Sequence, residues 1–98
     1  MSGLDVVYAR SDRMVGRRIA GEYVLVPLGG KGVDLDAILN LNSVGAFIWE
    51  QLDGRRSGVE IVAAMLDRFE VERLEAERDY LGFLDSLREA GAVAAVRP

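Results

Sequence analysis

The sequence predicts an α+β fold in which a three-stranded antiparallel sheet comes first and a three-helix bundle follows. Two observations carry this. Up to Leu41 the apolar residues alternate with small or polar ones, or form short β-branched runs between glycine turns, which is the signature of strands. From Asn42 onward they recur at helical spacing behind residues that cap helices. A third observation bounds the chemistry. The 98 residues contain no Cys and no His, which removes thiol nucleophiles, histidine bases, Cys/His zinc sites and disulfides together.

The first strand is expected over Met14 to Ala20, where Val15, Arg17 and Ile19 alternate with Gly16, Arg18 and Ala20. A turn at Gly21-Glu22 leads into a second strand, Tyr23 to Leu28, so the pair reads as a hairpin. Pro27 lacks a ladder donor and marks the end of that strand or an edge position. Leu28-Gly29-Gly30-Lys31-Gly32-Val33 is loop, and Leu35 to Leu41 is the third strand.

Asn42-Ser43 then opens a helix with Val44, Phe47, Ile48 and Leu52 on one face, and Asp53-Gly54 stops it. Ser57 and Glu60 form a capping box before the stripe Val62, Met65, Leu66 and Phe69. The third helix runs from about Glu72 to Ala90, with glutamates in its first turn that complement the helix dipole and Gly91 at its end. Its residues Ala76, Tyr80, Phe83, Leu84 and Leu87 fall within about 100° of arc, which makes them the core stripe. Leu74, Leu81 and Arg88 lie on one flank of that stripe, with Arg78 and Asp85 slightly further round. That flank packs on the sheet, is incidental surface leucine, or walls a peptide groove. Three strands followed by three helices is a winged-helix-like order with its sheet placed first.

The chain is expected to form one domain over residues 1–98 with its core at about 13–93, a length that can bury a core without disulfides or metal. Half of the residues are hydrophobic and 29% are charged, the balance of a globular domain. No apolar run reaches the length of a membrane span. The start, Met1-Ser2-Gly3-Leu4-Asp5, lacks the basic and apolar regions of a signal peptide, so a cytoplasmic home is expected. The net charge of −4 is uneven: residues 1–49 balance five basic against five acidic groups, whereas residues 50–98 carry seven against eleven. An acidic helical half argues against nucleic acid, whose phosphates call for a basic footprint.

Asn42 to Gly54, with its Ile48-Trp49 and Leu52-Asp53-Gly54, then Val59 to Leu66, and then Asp79-Tyr80, Phe83-Leu84, Leu87 and Gly91 in order, resembles the PqqD family. The resemblance spans roughly Val15 to Val93. It implies a peptide-recognition domain that binds the leader segment of a ribosomally made precursor and presents it to a modifying enzyme, in pyrroloquinoline quinone synthesis a radical S-adenosylmethionine protein. Quinone-pathway members carry Tyr-Pro-Glu-Gly after the second strand and an aromatic residue after the final glycine. This chain has Val26-Pro27-Leu28-Gly29 and Gly91-Ala92-Val93 there, so the likeness is to the wider family serving peptide-modifying pathways.

In that family the leader adds a strand to the sheet edge, between the third strand and the third helix, which is β-augmentation. Carried onto this sequence, the resemblance implies an edge formed by Asp36, Ala37, Ile38, Leu39, Asn40 and Leu41. It implies a facing wall formed by Leu74, Arg78, Leu81, Asp85 and Arg88. An exposed apolar edge strand is an aggregation liability, so an uncovered one favours a partner, the alternatives being cover by the N-terminal arm or by a second copy.

Other motifs yield to structural readings. Gly29-Gly30-Lys31-Gly32 lacks the Ser or Thr and the helix start that a phosphate loop needs. Arg55-Arg56 reads as a solvated turn, Glu70, Glu72, Glu75 and Glu77 as a solvated helix start, and Trp49 as a packing residue at the rim of the core. Asp79 is a candidate to pair with a neighbouring helix or with Arg55 or Arg56. The function expected is a non-catalytic peptide chaperone, with no cofactor and no metal. Its expected partners are a precursor peptide and a modifying enzyme, and it is a monomer or weak homodimer without nucleic acid or membrane contacts. The rival readings are a winged-helix DNA-binding regulator and a structural or dimerisation module.

Overall fold

The structure, a computed structural model, describes residues 3–28 and 38–96. After a single 3-10 turn at Gly3–Asp5, strand β1 spans Val7–Arg10, β2 Met14–Ile19, β3 Glu22–Pro27 and β4 Leu39–Leu41. Helix α1 covers Ser43–Gln51, β5 Asp53–Ser57, α2 Gly58–Arg68, α3 Arg73–Glu89 and β6 Val93–Ala95. The fold is α+β, and among the described residues its strands form two three-stranded antiparallel sheets where the sequence had led us to expect one.

The sheet ordered β2-β3-β4 is the expected one. β2 and β3 pair from Ile19↔Glu22 at the turn to Met14↔Pro27 at the open end. The turn is Ala20-Gly21, one residue earlier than the sequence indicated, with φ of 52° and 82°. Two consecutive positive φ values are what a two-residue hairpin turn needs to match the twist of its strands. One face of the sheet carries Met14, Tyr23, Leu25, Leu39 and Leu41, all of which join the core or pack against it. Gly16 shares that face by register, and the ring of Tyr23 lies across it, 2.8 Å from where a Cβ would stand. The third strand is described only over Leu39–Leu41. Leu35, with the loop predicted before it from Gly29 onward, lies outside the described residues.

The other sheet, ordered β5-β1-β6, departs from the order of sheet first and helices after. β1 comes before the hairpin, β5 sits between α1 and α2, and β6 follows α3. Asp53-Gly54 therefore does not simply end a helix. Leu52 caps α1, and the chain turns directly into β5, whose pairing with β1 shifts register between Val7 and Ala9. Gly54, at φ 82°, accommodates that irregularity, a common role for glycine at a bulge. Arg55 and Arg56, expected in a turn, are exposed on this strand. Asp53 Oδ1 accepts both of their backbone N–H groups, at 2.9 and 3.2 Å. These bonds, the one from Arg55 first, hold the Asp53 carboxyl below its ordinary range.

The helix starts follow their caps. Asn42 Oδ1 accepts the Gly45 N–H at 2.8 Å, and Ser57 and Glu60 make the reciprocal capping box. At the far end Gly91 takes φ 69° and turns the chain into β6. The core gathers Leu25, Ile48, Leu52, Ile61, Val62, Met65, Ala76, Tyr80, Leu84 and Leu87. Trp49, expected at the rim, is inside at 3% exposure. Arg10 covers it, donating to the backbone oxygens of Trp49 and Glu50 with its guanidinium 6.0 Å from the ring centre. No helix among the described residues is long and apolar enough to cross a membrane.

Candidate peptide-binding site

β3 occupies one side of β4 through Tyr23↔Leu41, Val24↔Asn40 and Leu25↔Leu39. Among the described residues no strand pairs with the other side, so β4 is an edge. Leu39 and Leu41 turn their side chains inward against the core, whereas Asn40 faces out. What the edge offers a partner is thus mainly backbone. In an antiparallel ladder the N–H and C=O groups of alternate residues point away from the neighbour already bound. Ile38, 39% exposed, precedes the strand, and Asp36 and Ala37 lie outside the described residues.

Beyond Leu41 the chain passes through the Asn42 cap into α1, whose first turn faces the middle of α3. Phe83 Cε1 stands 3.5 Å from where a Cβ on Gly45 would be, and Leu41 Cβ at the same distance. Beside this contact a cleft of about 200 Å³ is lined by Asn42, Val44, Gly45, Ile48, Asp79 and Phe83. Its floor is apolar and Asp79 is its charged member. Asp79 makes no ion pair with Arg55, Arg56 or any other cation among the described residues, whose ion pairs are Arg56 with Asp53 and Arg88 with Asp85.

The structure does not bring the two walls inferred from the sequence together. At about 100° per residue, Leu81 projects about 160° away from both Asp79 and Phe83. It packs instead against the N-terminal turn, its Cδ2 3.2 Å from where a Cβ on Gly3 would stand. Leu74 is 65% exposed, Arg78 is exposed, and Arg88 and Asp85 pair with each other at 3.9 Å on the surface. The flank of α3 that meets the cleft beside β4 is the opposite one. Phe83 concealed it in the sequence, because it sits at the margin of the core stripe and reads as core. In the structure Tyr80, Leu84, Leu87 and Ala76 are buried while Phe83 is only half-buried.

A second, larger cleft of about 510 Å³ opens on the other side of Leu41 and Asn42, between the hairpin and the ends of α1 and α2. Phe47 and Phe69 meet edge-on at 5.4 Å within it, Arg68 lies 5.1 Å over Phe69, and Arg18 lies 5.6 Å over Tyr23. Burial first and the Glu50 carboxylate second push the Tyr23 hydroxyl above its ordinary pKa. No feature of the sequence had marked this cleft, because its lining comes from five separate elements, β2, β3, β4, α1 and α2.

A short edge strand beside an apolar cleft defines a small α+β domain able to take up an extended segment. The family described as Coenzyme PQQ synthesis protein D (PqqD) matches residues 22–93, and the chain belongs to that family. Among solved structures, "TbiB1 in Complex with the TbiA(beta) Leader Peptide" is 30% identical, with 87% of this chain and 93% of that one covered at a TM-score of 0.68. "Lasso peptide synthetase B1 complexed with the leader peptide" shares the fold at 24% identity, covering 89% of this chain and 96% of that one at a TM-score of 0.71. No curated protein matches the chain.

Proposed function

We propose that this protein recognises the leader segment of a ribosomally made precursor peptide and presents it to a modifying enzyme without doing chemistry of its own. The observation that carries this reading is the outer edge of β4, unpaired among the described residues, beside the cleft of Ile48, Asp79 and Phe83. It occurs in a chain that is 30% identical to a protein solved with a leader peptide bound. The leader adds as a further antiparallel or parallel strand along Ile38, Leu39, Asn40 and Leu41, and Phe83 and Asp79 form the facing wall. Each ladder hydrogen bond contributes about 0.5–1.5 kcal/mol net, so a short strand alone binds weakly and the cleft supplies the remaining affinity.

In this reading the domain works in the cytoplasm as a single winged-helix-like unit, and the enzyme it serves is a radical S-adenosylmethionine protein or another peptide-modifying catalyst. The acidic helical half turns it away from DNA. An amide chemical-shift titration with the leader of the precursor encoded beside its gene tests the proposal. Shifts should concentrate at 38–45 and at Asp79 and Phe83. The same titration giving no shifts, or shifts confined to Leu74, Leu81 and Arg88, would count decisively against this groove.

A further inference from the structure

The cleft between α1 and α3 combines an apolar floor with one carboxylate at its rim. Gly45, Ile48 and Phe83 supply the floor. Asn42 brings an amide whose oxygen is already engaged by the Gly45 N–H. Asp79 is the charged residue of the lining, it is exposed, and no cation among the described residues pairs with it. Glu75, one turn earlier on the same flank, carries the same sign, and Arg78 projects about 100° away from Asp79 around the helix. At about 200 Å³ the cleft is smaller than the roughly 300 Å³ at which pockets begin to hold drug-sized molecules, so one side chain is its natural occupant.

These features select among side chains. A leucine fills an apolar floor but takes water from Asp79 and returns no partner. An acidic side chain meets like charge. A lysine or arginine lays its aliphatic stem on Val44 and Phe83 while its cationic head reaches the carboxylate at the rim, as such side chains do when they border apolar surface.

We infer that the peptide captured at β4 places a lysine or arginine in this cleft and that Asp79 is the residue selecting it. The inference rests on the strand-addition reading above and adds the chemical class of one residue of the ligand. It is tested by selecting a random-peptide display library on the full chain and, separately, on the Asp79→Lys variant. Peptides enriched on the natural chain should share a basic position, and those enriched on the variant should lose it. In an enriched peptide, replacing that lysine by norleucine should lower affinity about three- to tenfold at low salt, and the loss should vanish against Asp79→Asn. Enriched peptides without a basic position, the same basic preference on Asp79→Lys, or an equal norleucine loss on Asp79→Asn would each overturn the inference while leaving strand addition standing. Failure to enrich any peptide would overturn both.

Discussion

The two flanks of α3 are built from similar material and have different fates. One carries Leu74, Leu81 and charges, the other Phe83, Asp79 and charges, and the buried stripe of Ala76, Tyr80, Leu84 and Leu87 runs between them. The Leu81 flank is closed where the N-terminal turn lies over it. The Phe83 flank stays open on the cleft beside the β4 edge. The difference arises outside α3. Gly58, the first residue of α2, lets the N-terminal turn come close, since a Cβ there would stand 2.8 Å from the Tyr80 ring and 2.9 Å from Leu4 Cα. A residue with no side chain, remote in sequence from both flanks, thus decides which of them is surface.

That makes Gly58 the place to break the distinction most forcefully. Gly58→Val puts atoms where the Tyr80 ring and the Leu4 backbone already are, and because one obstacle is main chain the neighbours cannot simply rotate away. We expect a loss of about 2–3 kcal/mol in urea unfolding, the scale of overpacking a filled site. A change within a few tenths of a kcal/mol would mean that the N-terminal turn is not seated on α2 and α3 in solution, and that the Leu81 flank is as open as the other.

The next test sets the flanks against each other. Leu81→Asp should lower stability by about 1–2 kcal/mol, because a charge enters a half-buried contact, yet leave leader affinity of the folded protein unchanged. Phe83→Ala should have a comparable stability cost of about 1–2 kcal/mol, less than for a fully buried ring, and should weaken leader binding about tenfold or more. Urea unfolding together with calorimetric titration separates the two effects. Leader affinity falling in Leu81→Asp and holding in Phe83→Ala would exchange the roles assigned to the flanks.

The sequence carried more of the fold than of the site, and the reason is the range of the interactions involved. Local chemistry was legible: the Asn42 cap, the Ser57 and Glu60 capping box and the Gly91 stop act within a few residues. The hairpin was legible too, with its turn displaced by one residue because Ala20 accepts a positive φ that its type disfavours. β5 was not, since Asp53-Gly54-Arg55-Arg56-Ser57 has no apolar alternation and becomes a strand only by pairing with β1 across the fold. The site divides in the same way. The edge at Leu39–Leu41 was visible as the last strand of a local meander. Which flank of α3 faces it was not, because a helical wheel gives two equivalent flanks and the choice between them depends on the packing at Gly58.

The smallest effect we predict concerns the residue between the flanks. Tyr80 is fully buried, and its hydroxyl has no hydrogen-bond partner among the described residues. Burial first, with nearby Tyr8 adding to it, pushes its pKa up to about 12 from the ordinary value near 10. The folded state therefore holds the phenol neutral. The stability tied to this is complete below the unfolded-state pKa and is lost as pH rises from about 10 through 12, because only the unfolded chain ionises easily there. Tyr80→Phe removes both the orphaned hydroxyl and its titration. At neutral pH it should be as stable as the natural chain or more stable by up to about 1 kcal/mol, since no hydrogen bond is lost and a desolvated polar group is removed. Above pH about 10 its urea midpoint should fall less steeply than that of the natural chain. A loss of more than about 1 kcal/mol at neutral pH would instead show the hydroxyl bonded inside the core, with the stripe between the two flanks held by a polar contact rather than by packing alone.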